Sequence, residues 1–454
     1  MEATHFESLY PAQSRFDEIE KILKFAREGK SSQLVGLPGV GRSNTLGLLS
    51  YNKNVRKKHL GENQKWFHFV ECNFSEIRKK PLGEATKFIF LNLVESLRER
   101  GKYPGAEERF AEVNSFESVN KIFKESVETN DEMVLFRGLK RAIDFLCIEK
   151  ELTIVFLFDR FEEYIPQITT EFFANLRVLR NRAKYRFSAV FSVSRPLDEL
   201  IEPTLFADFY EFIADNIIYL PLMDKPGLDF RISYLEKVTE KKIDEKTKEE
   251  VLKLTRGHGK LTRLSLETIL ATSDWPLATS EKLQEFLLEQ KSVKASLYEI
   301  WISLSPSEQT SLIKNEFDID YLKSTGLIAD NKISIPLFDE FVKELSNLPA
   351  GRQGEAIMFD PATNEIKKGD FSLSDSLTSS EFKLLKFLIE NPNKIIEREE
   401  IIKAVWKDEK TTEGVTDQAL DQLIFRLRKK IEEDPNNPAY LQTLKGKGIR
   451  FANR

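Results

Sequence analysis

Cysteine and histidine are both scarce in this sequence. The 454 residues include two cysteines, Cys72 and Cys147, and four histidines, and none of them is paired at the spacing of a metal site or a disulfide framework. We therefore expect no zinc site. The cysteine content fits a protein of a reducing cytoplasm.

Long apolar segments and an excess of one charge are also missing. The most hydrophobic run, residues 152–158, has the length of one strand and is too short to span a bilayer. The opening segment MEATHFESLYPAQ has no signal-peptide pattern. Net charge is −5 although 31% of the residues are charged, so a nucleic-acid-binding surface would have to be local. We expect a cytoplasmic protein without membrane contact.

What the sequence does contain is a change of pattern along its length. Hydrophobic residues make up 41% of the chain, enough for the cores of two or three domains. Up to about Pro221, short apolar runs alternate with helical patterns, which predicts a parallel sheet covered on both faces. The runs are QLVG (33–36), WFHFVEC (66–72), LTIVFLF (152–158), FSAVFSV (187–193) and NIIYLPL (216–222).

These patterns predict a multidomain α/β protein. After Pro226 the apolar spacing becomes that of amphipathic helices, and a later helix, helix and short strand outline a winged helix. LPAGRQGEA then breaks all periodicity and predicts a linker. The predicted divisions are an α/β core (1–225), a helical lid subdomain (226–292), a middle winged-helix-like domain (293–347), a linker (348–355) and a C-terminal winged-helix domain (356–454).

The segment GLPGVGRSN, Gly36 to Asn44, has the frame of a phosphate-binding loop, G-x-x-x-x-G-K-[ST], with Arg42 in the lysine position. In such a loop, backbone N–H groups and a helix N-terminus surround phosphate. A glycine turn that only looks like such a loop is the alternative. Two further strand ends favour nucleotide binding, because one apolar run ends in Asp159 and another in Ser194–Arg195.

Residues 10–290 resemble the STAND branch of the P-loop NTPases, which are relatives of the AAA+ ATPases. The resemblance lies in the loop, in QSRFDEIEKI before it, in the strands ending at Asp159 and Arg195, and in LTRGHGKLTRLSLETI. It implies ATP or ADP with Mg²⁺ as cofactors. The implied nucleotide contacts are Gly36, Gly39, Gly41, Arg42, Ser43, Asn44, Arg195 and His258; the metal ligands are Ser43 and Asp159; the catalytic residues are Asp159, Glu162 and Arg195.

Three positions depart from the pattern of that family. Arg42 replaces lysine, and its planar fork binds phosphate but is bulkier than an ammonium group. Arg160 follows Asp159 where an acid often stands, leaving Glu162 or Glu163 as imperfect substitutes, and Gly259 replaces a proline. These departures favour nucleotide binding over fast hydrolysis, so we expect a switch with at most weak ATPase activity.

The segment VTDQALDQLIFRLRKKIEED near the C-terminus predicts a DNA-recognition helix. Its apolar residues share one face, which should pack on a core. The polar residues predicted for the outer surface are Gln418, Gln422, Phe425, Arg426, Lys429 and Lys430. A solvated helix is the alternative. From Tyr440 to Arg454 there are four cations and no acid, which favours contact with DNA phosphates. They are Lys445, Lys447, Arg450 and Arg454.

Residues 355–454 resemble the winged-helix effector domain of OmpR/PhoB-type response regulators. The matching segments are LTSSEFKLLKFLIENPNKIIEREEIIKAVW, LIFRLRKKIEEDP and YLQTLKGKGIRF. The resemblance implies that helix 417–433 reads double-stranded DNA and that Thr443, Lys445 and Arg450 lie in or beside the wing. It also implies that Trp406–Thr416 is the loop with which some relatives contact RNA polymerase.

Together the two resemblances imply a nucleotide-regulated, sequence-specific transcription regulator that self-associates in a nucleotide-dependent way. A DNA-associated ATPase, such as a loader or a mobile-element helper with winged helices as anchors, is the first alternative. The second is a relic nucleotide site that serves only as a scaffold.

Overall fold

A computed structural model shows two compact units, one of residues 1–296 with 324–326 and the other of residues 297–323 with 327–454. None of the described helices combines the length and the apolar content that a membrane crossing requires. The predicted linker lies outside the described residues. These are 5–100, 115–129, 131–272, 280–347, 356–361, 363–368, 371–406, 417–432, 435, 438–444 and 447–452.

The first unit is built on a five-stranded parallel sheet with the order β2-β3-β4-β1-β5. The strands are β1 (Ser32–Val35), β2 (Phe67–Asn73), β3 (Thr153–Asp159), β4 (Phe187–Val193) and β5 (Ile217–Tyr219). They confirm the predicted strands, with β5 shorter than its apolar run. Since β1 lies between β4 and β5, the segment after β1 emerges beside the segment after β4.

Helices surround this sheet. They are α1 (Phe16–Arg27), α2 (Arg42–Tyr51), α3 (Lys53–Leu60), α4 (Leu82–Arg100), α5 (Ser115–Val127), α6 (Glu132–Asp144), α7 (Thr170–Ala183), α8 (Leu197–Leu200) and α9 (Pro203–Tyr210). A π-helical turn, Phe145–Glu149, extends α6. Phenylalanine side chains fill the core around the C-terminal end of β3. Phe158 and Phe161 are fully buried there, and both contact Phe74 edge-on.

The predicted amphipathic helices follow β5. They are α10 (Lys225–Thr239), α11 (Glu245–Thr255), α12 (Gly259–Ala271) and α13 (Ser280–Glu289), followed by α14 (Lys291–Ile302). Two of them begin at capping side chains, since Asp244 accepts a hydrogen bond from Thr247 N and His258 accepts one from Leu261 N. The cap at His258 places its imidazole at the start of α12.

After α14 come the two helices, the short strand and the following helix that the sequence predicted, with the strand observed as one half of a hairpin. These are α15 (Pro306–Ile313), α16 (Asp320–Ser324), the antiparallel pair β6 (Ile328–Ala329) and β7 (Lys332–Ile333), and α17 (Pro336–Asn347). Ser305 and Glu308 form a capping box at the start of α15, which explains why the helix begins at Pro306, directly after Ser305.

The C-terminal part is a winged-helix domain that contains two small sheets. One antiparallel sheet contains β8 (Ile357–Asp360), β9 (Glu365–Lys368) and β10 (Phe371–Ser372); then come α18 (Ser379–Glu390), β11 (Ile395–Ile396), α19 (Arg398–Val405), α20 (Asp417–Ile431), β12 (Leu441–Leu444) and β13 (Gly448–Phe451). The second sheet has the order β11-β13-β12. A core of fully buried Leu384, Leu388, Leu423 and Leu427 joins α18 to α20.

A buried carboxylate fixes the entry into the C-terminal hairpin. Glu432 is fully buried, and Tyr440 N and Leu441 N donate to its Oε1 at 2.9 and 2.6 Å while Ala439 N donates to its Oε2 at 2.7 Å. Three backbone N–H groups therefore share one anion, which ties the end of α20 to the start of β12.

Glu432→Gln is expected to destabilise the protein by about 2 kcal/mol, because an amide N–H₂ cannot accept from a backbone N–H. Chemical denaturation followed by tryptophan fluorescence, with exposed Glu399→Gln as the control, measures the loss. An effect no larger than that of Glu399→Gln would contradict this account of the hairpin.

Candidate functional sites

The predicted phosphate-binding loop connects β1 to α2 at the carboxyl edge of the sheet. Gly39 and Gly41 have φ angles of 78° and 112°, in the left-handed region that favours glycine. A Cβ on Gly39 would lie 2.7 Å from the Cβ of Lys260, so this position also requires glycine for lack of space. The loop leads into the N-terminus of α2 at Arg42, the geometry of an anion site.

Three consecutive carbonyl groups of this loop are held from its outside. Pro38 O accepts from His258 Nε2 at 2.9 Å, Gly39 O from Lys260 N at 3.0 Å, and Val40 O from Arg15 Nη2 at 2.9 Å. Since each carbonyl points away from the N–H of the next residue, the N–H groups of Gly39 and Gly41 face away from these donors, whereas Val40 N donates to Leu37 O at 3.3 Å.

Arg15 is the most extensively bonded of these groups. Its guanidinium also donates to Pro221 O at 3.0 Å, and its backbone N donates to Asp224 Oδ2 at 3.1 Å. Burial lowers its pKa below the usual value. The segment QSRFDEIEKI thus holds the loop at a small cleft whose lining includes Tyr10, Asn44, Met223 and Gly227.

His258, predicted as a nucleotide contact, has both ring nitrogens in use. Nε2 donates to Pro38 O, and Nδ1 accepts from Leu261 N at 3.3 Å. Complete burial lowers the pKa of His258 to about 4, so its imidazole is neutral near pH 7. The structure therefore places His258 on the outer side of the loop; a direct contact with nucleotide stays a prediction.

Asp159 ends β3, and its side chain is buried with Oδ1 lacking a hydrogen-bond partner. Helix α2 packs against β3, and the exposed Ser43 is its second residue. A buried carboxylate oxygen without a partner is costly unless a cation binds it. No group of three or more described His, Cys, Asp or Glu side chains could hold a metal ion alone. Ser43 and Asp159 therefore fit Mg²⁺ only together with phosphate oxygens.

A second carboxylate, the half-buried Glu71 on β2, was missed by the sequence analysis. Burial, reinforced by the charge of Asp159, raises the pKa of Glu71 to about 7, and its Oε2 has no hydrogen-bond partner. The motifs gave no signal for it, because an acid in the middle of an apolar strand pattern has no characteristic spacing.

Arg42 and Glu162, predicted as the phosphate-binding cation and a catalytic acid, bind each other. Arg42 Nη2 lies 2.8 Å from Glu162 Oε1. The adjacent Glu163 pairs instead with Arg78 and, at 3.5 Å, with Arg160. The acids that follow Asp159 are therefore both neutralised by arginines.

Arg195 lies at the predicted edge of the sheet but is engaged within its own segment. Gly36 N donates to Val193 O at 3.3 Å, which sets the loop beside the end of β4. Arg195 Nη1 lies 3.3 Å from Glu199 Oε2. Its contact with a terminal phosphate stays a prediction.

Asn44 connects the loop helix to α10. Its Nδ2 donates to Glu7 Oε1 at 3.1 Å, and its Oδ1 accepts from Arg231 Nη2 at 2.8 Å. Arg231 Nε also donates to the hydroxyl of Tyr10 at 2.6 Å. The sequence analysis did not identify Arg231, since an isolated arginine on an amphipathic helix carries no motif.

The predicted recognition helix, α20, buries the face that its spacing predicted. Leu420, Leu423, Leu427 and Ile431 are fully buried. On the opposite side Gln422 is exposed, and Phe425 is 46% exposed with Lys429 Nζ 5.2 Å from its ring centroid. The side chain of Gln418 lies outside the described residues.

The predicted outward placement of Arg426 and Lys430 is wrong. Both side chains turn toward Glu381, a fully buried acid of α18, with Lys430 Nζ 2.6 Å and Arg426 Nε 3.8 Å from its carboxylate. The two cations lie four residues apart on one edge of α20, from which long side chains can reach a buried anion. They therefore fasten α20 to α18.

The hairpin after α20 is fixed by an arginine that the sequence analysis passed over. Arg428 Nη2 donates to Thr443 Oγ1 at 2.7 Å, and its Nε donates to Leu441 O at 2.9 Å. Arg450 Nη2 donates to Gln442 Oε1 at 2.6 Å, and Lys447 is exposed. Lys445, Arg454 and residues 407–416 lie outside the described residues.

The sequence model of the family "Transcriptional regulatory protein, C terminal" matches residues 375–451, which therefore form a domain of this family. The chain is 35% identical over 97 residues to Protein PetR of Rhodobacter capsulatus (20% of this chain, 41% of that protein). It is 33% identical over 100 residues to the phosphate regulon transcriptional regulatory protein PhoB of Klebsiella pneumoniae (22% and 41%). The chain thus spans less than half the length of these relatives.

Two solved structures align with this chain over very different extents. A Walker-type ATPase of Pyrococcus abyssi aligns at 13% identity with a TM-score of 0.44, covering 75% of this chain and 97% of that one. The DNA-binding domain of Klebsiella pneumoniae RstA, in complex with the RstA box, aligns at 23% identity with a TM-score of 0.19, covering 22% and 96%. Because both scores lie below 0.5, the fold described above rests on strand order and contacts.

The contribution of His258 to the stability of the loop is expected to decrease in acid. Its folded pKa of about 4 lies below its ordinary 6.5, so between these values the unfolded chain binds a proton that the folded chain excludes. The contribution of neutral His258 to the free energy of unfolding is complete above pH 6.5. It is lost as pH falls toward 4, and the total loss is about 3 kcal/mol.

His258→Asn, which keeps a capping side chain, provides the comparison. The difference in unfolding free energy between wild type and His258→Asn should shrink from pH 7 to pH 4.5. A difference independent of pH would contradict a neutral, loop-binding imidazole.

Proposed function

We propose that this protein is a transcription regulator in which a nucleotide-binding α/β unit controls a sequence-specific DNA-binding domain. One arrangement carries the nucleotide part: a glycine loop enters a helix N-terminus beside a buried carboxylate, Asp159, that has an unpartnered oxygen. The match of residues 375–451 to a transcriptional regulatory family supports the DNA part. The five-part division given above is the proposed domain arrangement.

ATP or ADP with Mg²⁺ is the proposed ligand. The N–H groups of Gly39 and Gly41 and the α2 N-terminus suit phosphate, while Ser43 and Asp159 offer the oxygen ligands that Mg²⁺ prefers. Bound Mg²⁺ would neutralise phosphate charge. The small cleft beside Tyr10 and Asn44, between α2 and the start of α10, is the proposed position of the nucleoside.

A switch fits the site better than rapid turnover. Glu162 is paired with Arg42, and Glu163 with Arg78 and Arg160, so a free base near Asp159 would have to come from one of these pairs. Nucleotide-dependent self-association would place two DNA-binding domains side by side and raise their effective concentration. The loop 406–416 is the proposed contact for RNA polymerase.

Asp159→Asn is expected to lower affinity for Mg²⁺–nucleotide at least tenfold, because it removes the charge that would bind the metal. Calorimetric titration with Mg–ATP and Mg–ADP measures this. Asp215→Asn, in an exposed acid at the opposite edge of the sheet, is the control.

The same proteins then test regulation. Wild-type affinity for a selected DNA site should differ between ATP, ADP and nucleotide-free conditions, and Asp159→Asn should abolish the difference. Equal affinities in all three conditions would contradict the switch. Fast DNA-stimulated phosphate release that is lost in Asp159→Asn would favour a DNA-associated ATPase instead.

In the DNA-binding domain, Lys429→Ala and Lys447→Ala should each weaken binding to all DNA sequences about equally. Each should also reduce the slope of log binding constant against log salt concentration by about one unit. Gln422→Ala should instead relax base discrimination, by about 1–3 kcal/mol at one position. Duplexes selected from a random pool provide the ligand.

Lys367→Ala is the matched control, since Lys367 lies on β9 in the other small sheet. If it weakens binding as much as Lys429→Ala, the proposed DNA surface is wrong.

A further inference from the structure

We propose that Glu162 is an internal competitor of the nucleotide. Its carboxylate occupies one side of Arg42, the cation proposed to bind phosphate, and nucleotide gains the whole guanidinium only by displacing Glu162. This inference rests on the proposed function. It identifies the residue that sets nucleotide affinity and gives Glu162 a role other than the catalytic one expected from the sequence.

The ion pair is short and sheltered. Arg42 Nη2 and Glu162 Oε1 are 2.8 Å apart, and the two side chains are only 14% and 24% exposed. Charge-assisted hydrogen bonds of this length are among the stronger ones in proteins, and a partly buried pair is screened little by salt. Arg42 cannot offer the same N–H group to a phosphate while the bond holds.

Both partners remain incompletely satisfied. Arg42 Nη1 and Glu162 Oε2 are buried and have no hydrogen-bond partner among the described residues. A bidentate arginine–carboxylate pair would use two N–H groups and both carboxylate oxygens. The observed contact uses one of each. A phosphate, with several acceptor oxygens, can satisfy the guanidinium better than Glu162 does, which favours exchange.

The competitor is held on a rigid support. Glu162 belongs to the 3-10 turn Phe161–Glu163, and the fully buried Phe161 packs edge-on against Phe74 and Phe191. Arg160 precedes this turn with φ of 50°, the left-handed conformation. The turn therefore directs Glu162 to Arg42 while the next acid, Glu163, binds Arg78 and Arg160.

The pair keeps two functions inactive together. While it is intact, the charge of the phosphate-binding cation is neutralised by Glu162, and Glu162 is not a free base. A phosphate at the N-terminus of α2 would release both. The same contact would thus lower the affinity for nucleotide and withhold a carboxylate base until the exchange has taken place.

The test measures Mg–ATP and Mg–ADP affinity in Glu162→Gln, Glu163→Gln, Arg42→Ala and Arg42→Ala combined with Glu162→Gln. Glu162→Gln should bind about tenfold to a hundredfold more tightly than wild type, since a charged hydrogen bond no longer has to be broken. Glu163→Gln removes an equal charge one residue away and should change affinity less than about twofold. In the Arg42→Ala background the gain should disappear.

Thermal unfolding without nucleotide is the second readout. Glu162→Gln should lower the melting temperature relative to Glu163→Gln, because a sheltered guanidinium loses its anion. An unchanged melting temperature would show that the pair contributes nothing at rest and would overturn the inference.

The binding outcomes separate the two proposals. If the wild type binds nucleotide and Glu162→Gln gains no more affinity than Glu163→Gln, the competitor proposal is overturned and the nucleotide switch is not. An equal gain with and without Arg42 shows general charge repulsion and also overturns the competitor. Binding in none of the variants overturns both proposals, whereas binding gained only by Glu162→Gln supports the competitor.

Discussion

A loop that is to bind phosphate through its N–H groups is best held in shape through its carbonyl groups. In this protein Pro38, Gly39 and Val40 each offer a carbonyl oxygen to a different donor, and these donors belong to α12 and to the segment before α1. The loop conformation therefore depends on residues more than 200 positions away in the chain. A neutral imidazole at His258 suits this task, because it can donate to a carbonyl and accept the capping N–H of α12 at once.

The same arrangement links the proposed ligand to the helices that follow the sheet. Arg231 on α10 bonds Asn44 of α2, and Arg15 bonds both the loop and the segment after β5. A ligand that moved the loop by a fraction of an ångström would disturb several buried hydrogen bonds at once. Packed interfaces of this kind tend to have two discrete arrangements rather than a continuous range, which is what a switch requires.

Buried carboxylates play a comparable part in the C-terminal domain. Glu381 binds Lys430 and lies near Arg426, and Glu432 accepts three backbone N–H groups. Both acids act on the C-terminal half of α20, the first by joining it to α18 and the second by joining it to the hairpin. Because their charges are compensated internally, the proposed DNA contacts come from Gln422, Phe425, Lys429 and the exposed hairpin residues.

Local periodicity determined much of this fold. The five parallel strands, the helices after β5 and the order of elements in the C-terminal domain all follow from apolar spacing and turn residues, which act within a few positions of each other. The loop frame and the acid at the end of β3 were likewise readable, because parallel strands bring their carboxyl ends to one edge.

Pairing between long charged side chains was decided only by the tertiary structure. The sequence predicted that Arg426 and Lys430 point outward, but both reach a buried acid on another helix. It predicted that Arg42 binds phosphate, but in the structure Arg42 is paired with Glu162. Flexible side chains of several ångströms can choose among partners that are remote in sequence, and that choice depends on burial and distance. The sequence by itself therefore determined which elements form and where a ligand could bind, and the tertiary structure determined which charges are already occupied.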